Sequence, residues 1–218
     1  PEGKYAMPDK HPIVMVALVG DGFRRVITWK RFETDKDYIT FAGSEAEMLE
    51  KMKSAILAFE PDILTGYFSD GFDLPFIKVR AEKNKVVLDM GADYSGIRTK
   101  NGSFAQAEIA GIAHLDILAY IKKIAKFSMN TPVFDLNSVA REMLGEGKAD
   151  VDIEKLHEAW DKNDGAALEE FCQYNLKDAE LALRLCELFL PNIAELTKLI
   201  GLPLFDVSRM SFSQLVEW

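Results

Sequence analysis

The stretch 66-GYFSDGFDLPFI-77 decides how this chain is read. It follows 61-PDILTGY-67, an apolar run with the length and branched-residue content of a strand. The chain then turns through Ser69-Asp70-Gly71 and enters a helical pattern from about Asp73 to Lys83, with Pro75 in its first turn. α/β proteins place their sites at such C-terminal strand ends. Asp70 and Asp73 are therefore candidates for chemistry. Each also has a structural reading: Asp70 as a turn or N-cap residue, and Asp73 as an acid at the positive end of a helix.

A second stretch, 171-FCQYNLKDAELALRLCELFLP-191, lies in a helical pattern from about 165 to 189, which Pro191 is expected to end or kink. One face runs Leu168, Phe171, Cys172, Ala179, Ala182, Cys186, Phe189. Another runs Tyr174, Asp178, Leu181, Leu185, Leu188, so Tyr174 and Asp178 sit one turn apart at the head of an apolar stripe. A carboxylate there needs a partner. On spacing alone three readings stand: an arginine partner, a helix rotation that exposes Asp178, or a metal ion with the tyrosine hydroxyl beside it.

Further out, the chain alternates strand-like and helical segments and then becomes mostly helical. Strands are expected over His11–Gly20 and Arg25–Lys30. A helix is expected over 44–59, with Ser44 as N-cap, Glu47 completing a capping box, and Met48, Met52, Ile56 and Phe59 in register. Residues 92–118 read as β structure with a hairpin turn at Asn101-Gly102. Helices follow at about 116–126, 135–144 and 152–161. Asp116, in 114-HLDIL-118, reads as a strand-end or helix N-cap residue. One α/β domain with a helical C-terminal half results.

The 218 residues suffice for a real core, and 48% hydrophobic content argues against disorder. A net charge of −9 argues against a broad basic surface for duplex DNA, although bound cations reverse the local field at an acidic site. Cys172 and Cys186 share one helical pattern, so neither a disulfide framework nor a zinc site is expected. The longest apolar runs are far short of a membrane span, and the opening PEGKYAMPDKHP has no signal-peptide character. No membrane association and a cytoplasmic location are the expectation.

The chain also carries Asp152-Ile153-Glu154 in 150-DVDIEKLHEAW-160, and an Asp-x-Glu triplet can present two carboxylates to metal ions. No buried strand precedes it, however. Ile153, Leu156 and Trp160 continue as an amphipathic helix, with Asp152 as its cap.

Taken together, the strand-end YFSDGFDLP, the later 174-YNLKD-178, HLDIL, 144-LGEGK-148 and 205-FDVSRMSFSQLVEW-218 resemble the exonuclease domain of B-family DNA polymerases, the archaeal type most closely. The resemblance implies a ribonuclease-H-like fold, a mixed sheet flanked by helices, over 1–200, with 201–218 starting the connection to the polymerase palm. It implies a proofreading 3′–5′ exonuclease that hydrolyses phosphodiesters at a single-stranded DNA 3′ end. Two Mg²⁺ or Mn²⁺ ions would lie about 3.5–4 Å apart. Asp73 and Asp178 would be metal ligands, and Tyr174 would position the attacking water. Phe72 and Phe68 would meet the DNA strand, Phe72 by stacking on a terminal base or else packing under the helix start. The partners implied are primer-template DNA and the remaining polymerase domains. The hairpin at Asn101-Gly102 either matches one that parts primer from template or is an ordinary exposed hairpin. Lys85, Arg98 and Lys100 are at most weak phosphate contacts.

Two departures stand out. Where the family has Asn after the tyrosine of its second motif, this chain has Phe68. The family's first motif, Asp-Ile-Glu at the end of the first strand, has no match, because Pro1-Glu2-Gly3-Lys4 resembles the loop after it. The expectation is a piece of a larger polymerase whose metal site is incomplete and whose own nuclease activity is weak. A non-catalytic, exonuclease-like scaffold is the alternative.

Overall fold

The computed structural model describes residues 6–100, 105–147 and 154–217. Its first sheet orders β1 (Met15–Gly20), β2 (Phe23–Thr28) and β3 (Ile39–Phe41), with β1 and β2 antiparallel and β2 and β3 parallel. Consecutive residues of β2 explain the layering. Side chains alternate across a strand, so Val26 and Ile27 face opposite ways, and both are fully buried. Ile27 packs with Met48, Leu49 and Met52 of α1 (Glu45–Phe59), whereas Val26 packs with Cys172 and Leu176 of α6 (Gly165–Ile200). The sheet is thus covered by a helix on each face. Burying each such apolar side chain contributes roughly 1.5–3 kcal/mol.

β1 begins four residues later than the apolar run suggests, and all its residues are half-buried. Side chains claim the backbone before it. Ile13 donates its N–H to Glu45, its carbonyl accepts from the Trp29 indole at 2.7 Å, and the Val14 carbonyl accepts from Thr28 at 2.9 Å. Glu45 is itself buried against Arg80 and Asn84 of α2 (Asp73–Asn84), which fastens the two helices together. At the α1 start, Ser44 accepts from the Glu47 N–H as expected. The Glu47 carboxylate, however, returns to Gly43 rather than Ser44, so the capping box is displaced by one residue. Phe59 is in helical register but exposed, lying across Gly20 and against Phe23.

A second, parallel pair joins β4 (Ile63–Gly66) to β7 (Ala113–Asp116), and an antiparallel pair joins β5 (Arg98–Lys100) to β6 (Gln106–Glu108). The expected turn at Asn101-Gly102 lies outside the described residues, but β5 and β6 pair on either side of it. α3 (Ile117–Lys123) follows β7, and the expected 116–126 helix tightens into a 3-10 turn at Ala125–Ser128. α4 (Leu136–Leu144) and α5 (Glu154–Lys162) come next. Asp152 and Ile153 lie outside the described residues, while Leu156 and Trp160 of α5 pack with Leu168 and Phe171 as their register predicts.

α6 is longer than expected. It continues through Pro191 to Ile200 and stops at Gly201, in the left-handed region at φ 75°. Proline removes one N–H and frees the carbonyl one turn earlier. Both Pro191 and Glu187 are exposed, so water can satisfy that carbonyl. Leu181 and Leu185 are fully buried, but Leu188, expected on the same stripe, is 42% exposed. Cys172 and Cys186 are free thiols in separate clusters.

After α6 the chain turns back through α7 (Leu204–Val207) and α8 (Phe212–Val216). Arg209, between them, is buried. Its Nε and Nη2 donate to the two oxygens of Asp70 at 2.8 and 2.9 Å, across 139 residues of sequence. Its Nη1 donates to the carbonyls of His114 and Phe205, and the guanidinium lies 3.8 Å from the Phe205 ring centre. Ala107 adds an N–H to Asp70 Oδ1 at 2.8 Å. His114 Nδ1 faces the Ala107 carbonyl, which can only accept, so Nδ1 carries a hydrogen, and Nε2 lies 2.8 Å from the Ser69 hydroxyl.

The turn between β4 and α2 is pinned from its other side by Asp116. Its Oδ1 accepts from the N–H groups of Phe68 and of Ala119, the latter capping α3, and its Oδ2 accepts from Asp70 N–H at 2.9 Å. Phe68 sits in the left-handed region at φ 67°. A Cβ at Gly71 would run into the Phe68 ring, so a larger residue there would push that ring aside.

Two predictions follow from these contacts. A β-branched residue tolerates positive φ poorly, whereas asparagine adopts it readily. Phe68→Asn should therefore be more stable than Phe68→Val by about 1–2 kcal/mol in urea unfolding. Burial works against the Asp70 charge, but the His114 and Arg209 contacts outweigh it and hold the carboxyl down at about 2. A depressed carboxyl stabilises the fold above its unfolded pKa and loses that contribution as pH falls through the folded one. Between pH 4 and pH 2 the wild type should lose about 2 kcal/mol that Asp70→Asn does not lose. The urea midpoint of each, followed across that range, measures the difference.

Candidate functional site

Strand pairing brings Gly66 opposite Asp116, so β4 and β7 end side by side. The turn that leaves β4 carries the chain directly into α2, and Asp73 is its first helical residue. Phe72 occupies the cap position and makes no side-chain capping bond. Leu74 N–H is satisfied by the Ser69 carbonyl, and Phe76 N–H by that of Phe72. The helix start therefore needs nothing from the Asp73 carboxylate.

The two acids of the turn have different fates. Asp70 is buried with both oxygens engaged, which removes it as a ligand for anything else. Asp73 reaches solvent, although the protein crowding its other sides withholds water. That desolvation is the main reason its carboxyl is pushed up to about 6, with the negative charge of Asp116 second and Asp178 adding to it. Backbone N–H and His114 act the other way. α6 packs on β4, the strand that leads into the turn. Tyr174 and Asp178 lie one turn apart on α6, and both are half-buried. Asp73 and Asp178 thus sense one another's charge, with Tyr174 one turn away from Asp178.

A divalent cation fits this donor set in kind. Asp73 and Asp178 are hard oxygen donors whose charges repel, and a cation between them would relieve that repulsion. Among the described residues, no three His, Cys, Asp or Glu side chains converge as a metal cage. The oxygens of Asp116 already accept three backbone N–H groups. Glu154 begins α5, and its triplet partner Asp152 lies outside the described residues.

Two aromatic rings flank Asp73. Phe68 is 48% exposed and Phe72 is 43% exposed, with the Phe72 ring tilted against Phe76 at 5.3 Å. Phe72 is therefore not buried beneath the helix start. Phe68 also lines a cleft of about 420 Å³ with Gly71, Gln106, Lys122, Lys123 and Arg209. Of the basic residues considered as phosphate contacts, Arg98 is engaged by Asp93 at 2.5 Å, and Lys85 caps the end of α2.

Motif reasoning gave no role to Arg209 or His114. The one available signal was a histidine within the strand HLD together with a single arginine in the tail 205–218. Asp116 is a cap, as its position suggested, and it also holds the turn of Phe68 and Asp70.

The comparisons with known proteins agree with this geometry. Residues 2–139 match the family model described as DNA polymerase family B, exonuclease domain. A DNA polymerase of Pyrococcus glycovorans is 35% identical over 210 residues, covering 96% of this chain and 26% of that protein. A DNA polymerase of Thermococcus gorgonarius is 32% identical over 208 residues, again 26% of its length. A solved structure of the family B DNA polymerase from the hyperthermophilic archaeon Pyrobaculum calidifontis superposes with a TM-score of 0.76 at 26% identity, covering 98% of this chain and 26% of that one. This chain spans about a quarter of the length of these relatives. The fold is of the ribonuclease-H-like type, here with small mixed sheets and a large helical component. The chain belongs to the exonuclease-domain family of B-family DNA polymerases, in its archaeal form.

Proposed function

We propose that this domain hydrolyses the terminal phosphodiester at a single-stranded DNA 3′ end, proofreading for a polymerase that carries it. The observation that supports this best is the electrostatic reach of Asp178 to Asp73, whose carboxyl is raised first by desolvation and then by Asp116 and Asp178, with Tyr174 one turn from Asp178 on α6. Asp73 and Asp178 would hold Mg²⁺ or Mn²⁺. Such ions, when bound, stabilise the attacking and leaving oxygens of an in-line displacement. Tyr174 would orient the water by its hydroxyl. The water oxygen bonds to phosphorus, the bond to the 3′ oxygen breaks, and that oxygen takes up a proton. The products are a nucleoside monophosphate and a strand one nucleotide shorter. Phe72 and Phe68 would stack on bases without regard to sequence, as an editing site requires. Primer-template DNA and the remaining polymerase domains are the partners of this reading. Among the described residues, no helix is long and apolar enough to cross a membrane.

Two carboxylates hold a divalent ion weakly, so the 218-residue chain alone should cleave little. A 3′-mismatched oligonucleotide incubated with this chain and Mn²⁺ checks that; robust cleavage, lost in Asp178→Ala, would overturn it. In a polymerase carrying the domain, Asp73→Ala should lower proofreading by more than ~100-fold, beyond what loss of an outer-sphere partner does. The scaffold reading draws on Phe68 in place of the family's asparagine, and it would be favoured by proofreading that survives Asp73→Ala.

Metal binding should also depend on pH with a definite sign. A ligand must be deprotonated to bind, and Asp73 holds its proton up to about 6. Mn²⁺ affinity should therefore fall about tenfold for each pH unit below 6 and level off above it. Calorimetric titration of the wild type with Mn²⁺ across the range reads this. Asp178→Asn removes one repelling charge and should move the titration of Asp73 itself to lower pH, read without metal from its carboxyl carbon shift.

A further inference from the structure

We propose that Arg209 is a positioning residue for Asp73: by clamping Asp70, the segment after α6 sets the geometry of the candidate metal ligand. This rests on the exonuclease reading of the site. The helix start at Asp73 has Phe72 at its cap position, which carries no capping side chain, and the Asp73 carboxylate meets its own backbone N–H rather than a neighbouring element. What fixes it is the preceding turn. That turn is held at four points: Phe68 and Asp70 N–H on Asp116, the Ser69 hydroxyl on His114, and the Asp70 carboxylate on both the Ala107 N–H and Arg209. The first three anchors come from the strands β7 and β6. The fourth, and the one charged partner of Asp70 among them, comes from the tail.

The arginine is built for the role. Its fork meets Asp70 through two parallel bonds, which fixes orientation as well as distance. Nη1 binds the His114 carbonyl, so one guanidinium spans both the turn and β7. The Phe205 ring lies against its face, and the Lys123 ammonium donates to its backbone carbonyl. A lysine could keep the charge but not the fork. Partners one step removed from a metal typically change affinity or activity by 10–100-fold when lost.

The test is a Mn²⁺ titration of the 218-residue chain, followed by paramagnetic broadening of the Phe72 and Asp73 amide signals. Arg209→Lys should keep a dispersed amide spectrum while weakening Mn²⁺ binding by about 10–100-fold. Adding Asp70→Asn to it should cause no further loss, because both changes break the same link. A folded Arg209→Lys chain with wild-type affinity, or a double variant whose losses add, would overturn the proposal. If Arg209→Lys does not fold, Phe205→Leu loosens the guanidinium and leaves both charges in place. It should shift the titration in the same direction, and an unchanged curve would overturn the proposal equally. Asp73→Asn is the control: broadening that survives it would sink the site reading itself, whereas its loss beside an unaffected Arg209→Lys would sink only the positioning role.

Discussion

The buried pair of Asp70 and Arg209 is the constraint on which the site depends. Two charges taken from water are tolerable only when every lone pair and hydrogen finds a partner. Here Asp70 accepts from Arg209 and Ala107, and Arg209 reaches two further carbonyls. Removing either partner would strand the other charge, a loss of about 3–5 kcal/mol. The pair therefore contributes less as a source of net stability than as a statement of register. It permits one arrangement of turn, strand and tail, and penalises the rest.

The turn shows how environment divides labour between like residues. Asp70 and Asp73 are three residues apart and chemically equivalent in the unfolded chain. One meets His114 and a guanidinium and is held at about 2; the other is starved of water, faces acids as well, and is raised to about 6. A fixed charge suits a structural anchor. A carboxylate whose neighbours repel it suits a cation, since binding relieves what the fold imposes.

Much of this was legible in the sequence because it is local. Helical spacing alone puts Tyr174 and Asp178 on one face, and Gly71 with Pro75 announces a turn and a helix start. What was not legible depends on distance or on solvent. Nothing near Arg209 indicates that its partner lies 139 residues away. β3 has three residues, too few to show a period. Pro191 reads as a helix end, yet the helix passes through it because the freed carbonyl faces water. The capping bond of Glu47 moves to Gly43 through loop geometry that residue identity does not encode.

The long helix resolves why a site so spread along the chain can be coherent. α6 packs by Cys172 and Leu176 against the first sheet, and by Leu185, Cys186 and Phe189 against the cluster around β7 and α3. Tyr174 lies within the first anchorage, and Asp178 lies between the two. Their positions are thus set by packing on both sides, while that of Asp73 is set by polar contacts of the turn. A rigid rod of apolar contacts carries one candidate ligand and a hydrogen-bonded loop carries the other. The loop is the more easily displaced of the two, because each of its anchors is a single polar group rather than a row of side chains. It is at the loop, and so at Asp116, His114 and Arg209, that changes remote from the carboxylates would first be felt.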